Sequence, residues 1–138
     1  MNALRELAVQ ASVPRGSSFA DGARELARTG AAAIAVLDGE KVVGLLTEDD
    51  VLRGLYPGYL DDLEHTAFLS EEALAAQLER AETVDRHMSD PVVTEADAAA
   101  AHVAEVFLHC PHGAIALVEQ GRYIGMIDQA AFVATLLG

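Results

Sequence analysis

Apolar positions along the chain follow two alternating rhythms, and the alternation happens twice. Phe19, Ala23, Leu26 and Ala27 fall at helical spacing, and so do Ala99, Val103, Val106 and Phe107. Each helical pattern leads into a short apolar run, residues 33–38 and 114–119, then a polar turn and a second run ending near a glycine. The two copies align without a gap at an offset of 81. Ala33-Ile34-Ala35-Val36-Leu37-Asp38 matches Ala114-Ile115-Ala116-Leu117-Val118-Glu119, Lys41 matches Arg122, and Gly44 matches Gly125. Ser18-Phe19-Ala20-Asp21 and Thr94-Glu95-Ala96-Asp97 both read as capping boxes that start a helix. Gly30 and Pro111 read as the stops. Closing helices are expected over 49–55 and 129–137, the second able to take Asp128 as its cap.

Each copy therefore reads as strand, helix, strand, turn, strand, helix. A unit of roughly 50 residues is too small to bury two helices and a sheet alone, so the copies are expected to pack on each other about a pseudo-two-fold axis. The boundaries are a first repeat at 8–55, an inserted segment at 56–83 and a second repeat at 84–138. Within the insert, Tyr59, Leu60 and Leu63 share a helical face, and Ser70 caps a further helix carrying Leu74 and Leu78. A helical hairpin is expected there.

Composition narrows the function classes. The chain has 138 residues, 51% of them hydrophobic, and a mean hydropathy of +0.22, enough to bury a core and an oligomer interface. A net charge of −13, from 22 acidic and 9 basic residues, opposes binding to nucleic acid or an anionic membrane. One cysteine, Cys110, allows no internal disulfide, and residues 1–5 lack the apolar stretch of a signal peptide, so a cytoplasmic setting is expected. The longest apolar run, residues 31–37, falls far short of the ~20 residues that span a bilayer.

One stretch carries specific chemistry. In Gly44-Leu45-Leu46-Thr47-Glu48-Asp49-Asp50, a glycine is followed by a threonine three residues on and an aspartate three further on, at the start of a helix. Together with the duplication and the Met88-Ser89-Asp90-Pro91-Val92-Val93-Thr94 lead-in to the second copy, this stretch resembles the tandem CBS domains of a Bateman module. The resemblance covers nearly the whole chain. It implies an α/β (α+β) fold of two β-α-β-β-α repeats with an inserted helical segment. It also implies a non-catalytic regulatory module that binds AMP, ADP, ATP or S-adenosylmethionine in the cleft between the repeats, and a homodimer built through the apolar closing helices.

Carried onto this sequence, the resemblance assigns Asp50 to the ribose hydroxyls, Thr47 to the ribose or first phosphate, Gly44 to close ligand approach, and Val13, Ile34 and Ala35 to the adenine. An ionised carboxylate accepts two hydrogen bonds from a diol readily, which suits Asp50 to the task. Arg53, one helical turn beyond, is a candidate phosphate ligand, as are Arg15, Lys41 and Arg122, and His112 is a further candidate at the strand entry. The second copy departs from the motif: Asp128 stands where threonine is expected and Ala131 where the aspartate belongs, so a single nucleoside site is expected.

Competing readings stand beside these. Thr47 to Asp50 is also a capping box, which needs no ligand. A ligand-free dimerisation or interaction module is the alternative function. His102, His109, Cys110 and His112 offer one thiolate in irregular spacing, so no metal site is expected. There is no serine elbow, phosphate-cradling loop or dinucleotide fingerprint, and no enzyme is expected.

Overall fold

The computed structural model describes residues 3–55 and 82–138. The expected helical hairpin lies almost wholly outside the described residues. The last two positions of the insert, Glu82 and Thr83, are described and join the first unit: Thr83 pairs with Ser18 in an isolated antiparallel bridge, and the Phe19 N–H donates to the Glu82 carbonyl at 2.9 Å.

The first unit comprises β1 (Ser12–Pro14), α2 (Phe19–Thr29), β2 (Ala33–Asp38), β3 (Lys41–Thr47) and α3 (Glu48–Leu55), preceded by a short helix α1 (Ala3–Leu7). A 3-10 turn, Val84–Arg86, leads into β4 (Val93–Glu95), α4 (Ala100–Leu108), β5 (Ala114–Glu119), β6 (Arg122–Asp128) and α5 (Gln129–Leu137). Each unit forms a three-stranded sheet, ordered β1-β2-β3 and β4-β5-β6, with one parallel and one antiparallel pairing. Even the irregularities repeat. The β2/β3 register slips between Val36 and Leu37 and the β5/β6 register between Leu117 and Val118, again 81 residues apart.

Alternation along the strands divides the core. Ile115, Leu117 and Ile127 cluster with Val103, Phe107 and Phe132 beneath α4 and α5. Ala114, Ala116 and Met126 join instead the cluster that holds Ala33, Ala35 and Leu45 of the other sheet. Successive side chains on a strand face opposite ways, so the second sheet turns Ile115, Leu117 and Ile127 to its own helices and Ala114, Ala116 and Met126 to the first sheet. Strands β2 and β3 pack on β5 and β6 through that small-residue face. The four central alanines, 33, 35, 114 and 116, have no exposed surface.

Helix α2 starts and stops as its sequence dictates. Ser18 accepts the Asp21 N–H at 3.0 Å, and Gly30 ends the helix in the left-handed region at φ 68°, its N–H donating to Leu26. The second unit differs. Helix α4 begins at Ala100 with Ala99 as its uncapped N-cap, so Thr94 caps nothing. The offset explains why: Thr94 is the counterpart of Val13, a strand position, and Ala99 is the counterpart of Ser18. Thr94 lies buried in β4 with its hydroxyl unpartnered. Asp128 does not cap α5 either. Its Oδ1 accepts the Ala32 N–H of the first unit at 3.4 Å.

Helix α1 has no counterpart in the sequence reading, although Leu4, Leu7 and Ala8 have amphipathic spacing. Leu4 is buried in the second unit's cluster, with Leu7 and Ala8 packed on it.

Candidate functional site

The lead-in segment of each unit crosses to the other unit's sheet. Val9 pairs antiparallel with Met126 on β6, and Ser89 pairs antiparallel with Leu45 on β3. Gly44 and Gly125 make these crossings possible. A Cβ on Gly44 would run into the Met88 side chain and come within 3.1 Å of the Ser89 carbonyl, and one on Gly125 would meet Ala8 at 2.9 Å and the Val9 backbone at 3.1 Å. The bare backbone at Gly44 accommodates a chain segment. Tyr123 secures the other crossing. Its hydroxyl donates to the Ala11 carbonyl at 3.0 Å and accepts the Ala11 N–H at 3.2 Å, and burial pushes its pKa up to about 12.

The crossing on β3 brings Ser89 onto the start of α3. The Thr47 N–H donates to Asp50 Oδ2 at 3.0 Å and the Asp50 N–H donates to Thr47 Oγ1 at 3.0 Å, a reciprocal capping box. Ser89 Oγ then lies 3.0 Å from both Asp50 oxygens. Asp50 is half-buried, while Thr47 is only 3% exposed, its hydroxyl turned to the cap. The capping role of this motif is thus present, and a side chain from the second unit is added to it.

The remaining expected site residues are dispersed. Val13 lies opposite Val36 in the β1/β2 register, on the face shared with Ile34, whereas Ala35 faces the other way toward the second sheet. Ile34 and Ala35 have no exposed surface, so their side chains belong to the core and line no open groove. Lys41 and Thr47 are the two ends of β3, six residues and about 20 Å apart at ~3.3 Å per residue. Lys41 is therefore remote from Asp50, and Arg122 stands at the corresponding far end of β6.

Arg15 lies at that far end as well, held by Asp85 at 3.2 Å and near Asp38 at 3.7 Å. Arg122 is paired with Glu40 at 2.8 Å. Arg53 shares the Asp50 end of the sheet, exposed and hydrogen-bonded to Asp49 at 2.7 Å. The His112 segment reaches the same end: a Cβ on its neighbour Gly113 would lie 3.5 Å from the Ala32 side chain, and the Ala32 carbonyl accepts the Glu48 N–H at 3.4 Å.

Two contributors escaped the sequence reading. Ser89 is 39 residues from Asp50, and only the strand pairing with Leu45 joins them. Asp85 accepts the Gly16 N–H at 2.6 Å and the Arg15 guanidinium, and these contacts, the backbone N–H foremost, hold its carboxyl below the usual aspartate range. Among the described residues no group of three or more His, Cys, Asp or Glu side chains is placed to hold a metal. Cys110 is free and buried. No described helix is long and apolar enough to cross a membrane.

The family model for the CBS domain matches residues 9–56, which run from the Val9 crossing to the end of α3. The chain carries a CBS domain. Its fold is that of CBS-pair structures across nearly the whole chain. A CBS domain-containing protein of unknown function from Kribbella flavida is 23% identical with a TM-score of 0.76, covering 97% of both chains. The CBS-pair protein CBSX2 from Arabidopsis thaliana is 17% identical with a TM-score of 0.73, covering 96% of this chain and 92% of that one. CBSX2 in complex with AMP is 18% identical with a TM-score of 0.69, over 96% and 94% of the two chains. No curated protein matches the sequence.

Proposed function

We propose that this CBS-domain protein is a non-catalytic regulatory module, with repeats at 8–55 and 84–138, that binds one adenosine-type ligand through Asp50. The observation that carries the reading is the Asp50 carboxylate itself. It is half-buried, positioned by the Thr47 backbone at 3.0 Å, and in contact with a residue of the second unit. A carboxylate offers about four lone-pair positions, and the Thr47 N–H takes only one of them. The AMP complex of CBSX2, a protein of the same fold, supports an adenosine ligand.

The surroundings favour a ligand with little phosphate. Glu48, Asp49 and Asp128 lie on the strand-end side with Asp50, and the nearest of the candidate cations, Arg53, is already paired with Asp49. AMP or S-adenosylmethionine suits that field better than ATP. Ala131 leaves the matching position of the second unit without a carboxylate, so the stoichiometry is one.

Calorimetric titration with AMP, ADP, ATP and S-adenosylmethionine tests this. One site per chain is expected, and Asp50→Ala should weaken binding at least tenfold, the cost of losing charge-assisted hydrogen bonds worth ~1.5–3 kcal/mol. Two equivalent sites, or an Asp50→Ala protein that binds as well as the parent, would overturn it.

A ligand-free interaction module is the second reading. It draws on the buried state of Ile34 and Ala35 and on the exposed apolar residues of the closing helices, Leu52 on α3 and Val133, Leu136 and Leu137 on α5. The same residues suit a homodimer face under either reading. A thermal-shift panel separates the two, because a ligand that binds the folded state raises its melting temperature. A flat response across all four compounds favours the second.

A further inference from the structure

We propose that Ser89 is a displaceable latch on Asp50, a residue of the second unit that occupies the carboxylate edge a ligand diol must take. The inference rests on the reading of Asp50 as the nucleoside-gripping group. Its observation is independent of any ligand: Ser89 Oγ stands 3.0 Å from Oδ1 and 3.0 Å from Oδ2. A serine carries a single hydroxyl proton, and equal distances to both oxygens place that hydroxyl across the edge of the carboxylate, not at one corner. A vicinal diol donating one hydrogen bond to each oxygen approaches along this same edge. The other contact, from the Thr47 N–H to Oδ2, comes from the helix start and does not compete.

The latch can open without unravelling the fold. The Ser89 backbone is fixed to Leu45 by two hydrogen bonds of 2.8 and 3.0 Å, so only a turn about χ1 is needed to withdraw the hydroxyl. That turn has a consequence beyond the site. The Ser89 hydroxyl ties the lead-in of the second unit to helix α3 of the first, and a ligand that takes its place removes the tie. Binding and the tie are then antagonistic, and each weakens the other by the same factor.

Removal of the hydroxyl should therefore strengthen binding, the reverse of what truncating a direct ligand contact does. Titration of the full chain with AMP and with S-adenosylmethionine is expected to give a Kd for Ser89→Ala about three- to tenfold lower than the parent, the range set by one modest hydrogen bond. Ser89→Thr, which keeps the hydroxyl, should return toward the parent Kd, while Asp50→Ala binds both compounds at least tenfold more weakly than the parent. Circular dichroism and melting curves confirm that each variant is folded. Binding by Ser89→Ala where the parent shows none also supports the latch.

If Ser89→Ala binds equally or more weakly while Asp50→Ala still weakens binding at least tenfold, the latch is overturned and the nucleoside site stands. If neither the parent nor Ser89→Ala binds either compound, both fall.

Discussion

A cap is present in one unit and missing in the other, and the difference is a single atom. Ser18 and Ala99 have nearly the same backbone, φ −64° and ψ 150° against φ −68° and ψ 148°, but only Ser18 has an oxygen to accept the N–H of the third helical position. Ala99 is exposed, and its backbone already holds the geometry a cap requires. Ala99→Ser is therefore expected to stabilise the protein by about 0.5–2 kcal/mol, read as a rise in the urea midpoint with an unchanged slope. The same comparison shows what local sequence motifs hide. Thr94-Glu95-Ala96-Asp97 satisfies the capping pattern as well as Ser18-Phe19-Ala20-Asp21 does, yet Thr94 is spent on a buried strand position. Spacing within four residues does not say whether the first of them is still in the strand. The alignment of the two copies does, because it sets Thr94 against Val13 and Ala99 against Ser18.

At the scale of elements, the strands, the turns and the closing helices were legible because each depends on its own residues. The crossings were not, since they depend on pairing between segments far apart in sequence. Gly44 illustrates this: as a sequence feature it reads as room for a ligand, and in the fold the Met88–Ser89 segment packs against it. Thr47 and Asp50 were legible as a pair, while Ser89 required the strand register. Asp85 belongs to the same class. It stands in the turn Val84–Arg86, and through Gly16 and Arg15 it straps the start of the second unit to the β1–α2 loop of the first.

The lowered pKa of Asp85 makes this strap sensitive to acid. A carboxyl whose pKa is depressed by folding contributes its stability fully above the unfolded value, here 3.8, and loses it as pH falls through the folded value. Asp85→Asn should therefore be less stable than the parent at pH 6, with the difference between them shrinking as pH falls below about 4. Urea midpoints across that range read it directly, and a difference that stays constant into acid would assign the strap to packing instead of charge.

For the whole molecule, the decisive feature is that the central strands of the two sheets meet through alanines. Facing sheets ordinarily stand about 10 Å apart with large side chains interdigitated between them. Here the facing positions of the central strands are Ala33 and Ala35 against Ala114 and Ala116, all without exposed surface, with Leu45 and Met126 of the edge strands beside them. The crossings at Val9 and Ser89 join the same two sheets at their edges, each lead-in leaving its own unit to pair with the edge strand of the other.

Enlarging an inner alanine should thus act on the relation between units as well as on local packing. Ala35→Leu is expected to destabilise the protein by about 1–3 kcal/mol, the usual range for overpacking a filled core. Ala101→Leu, on the exposed side of α4, should stay within about 0.5 kcal/mol of the parent. Adding Ala116→Leu to Ala35→Leu should cost less than the sum of the single changes, since sheets already forced apart by the first leucine leave space for the second. Denaturant midpoints of the two single variants and the double variant complete the cycle. Strict additivity would mean that the two alanines sit in independent pockets and that no common spacing governs the pair of sheets.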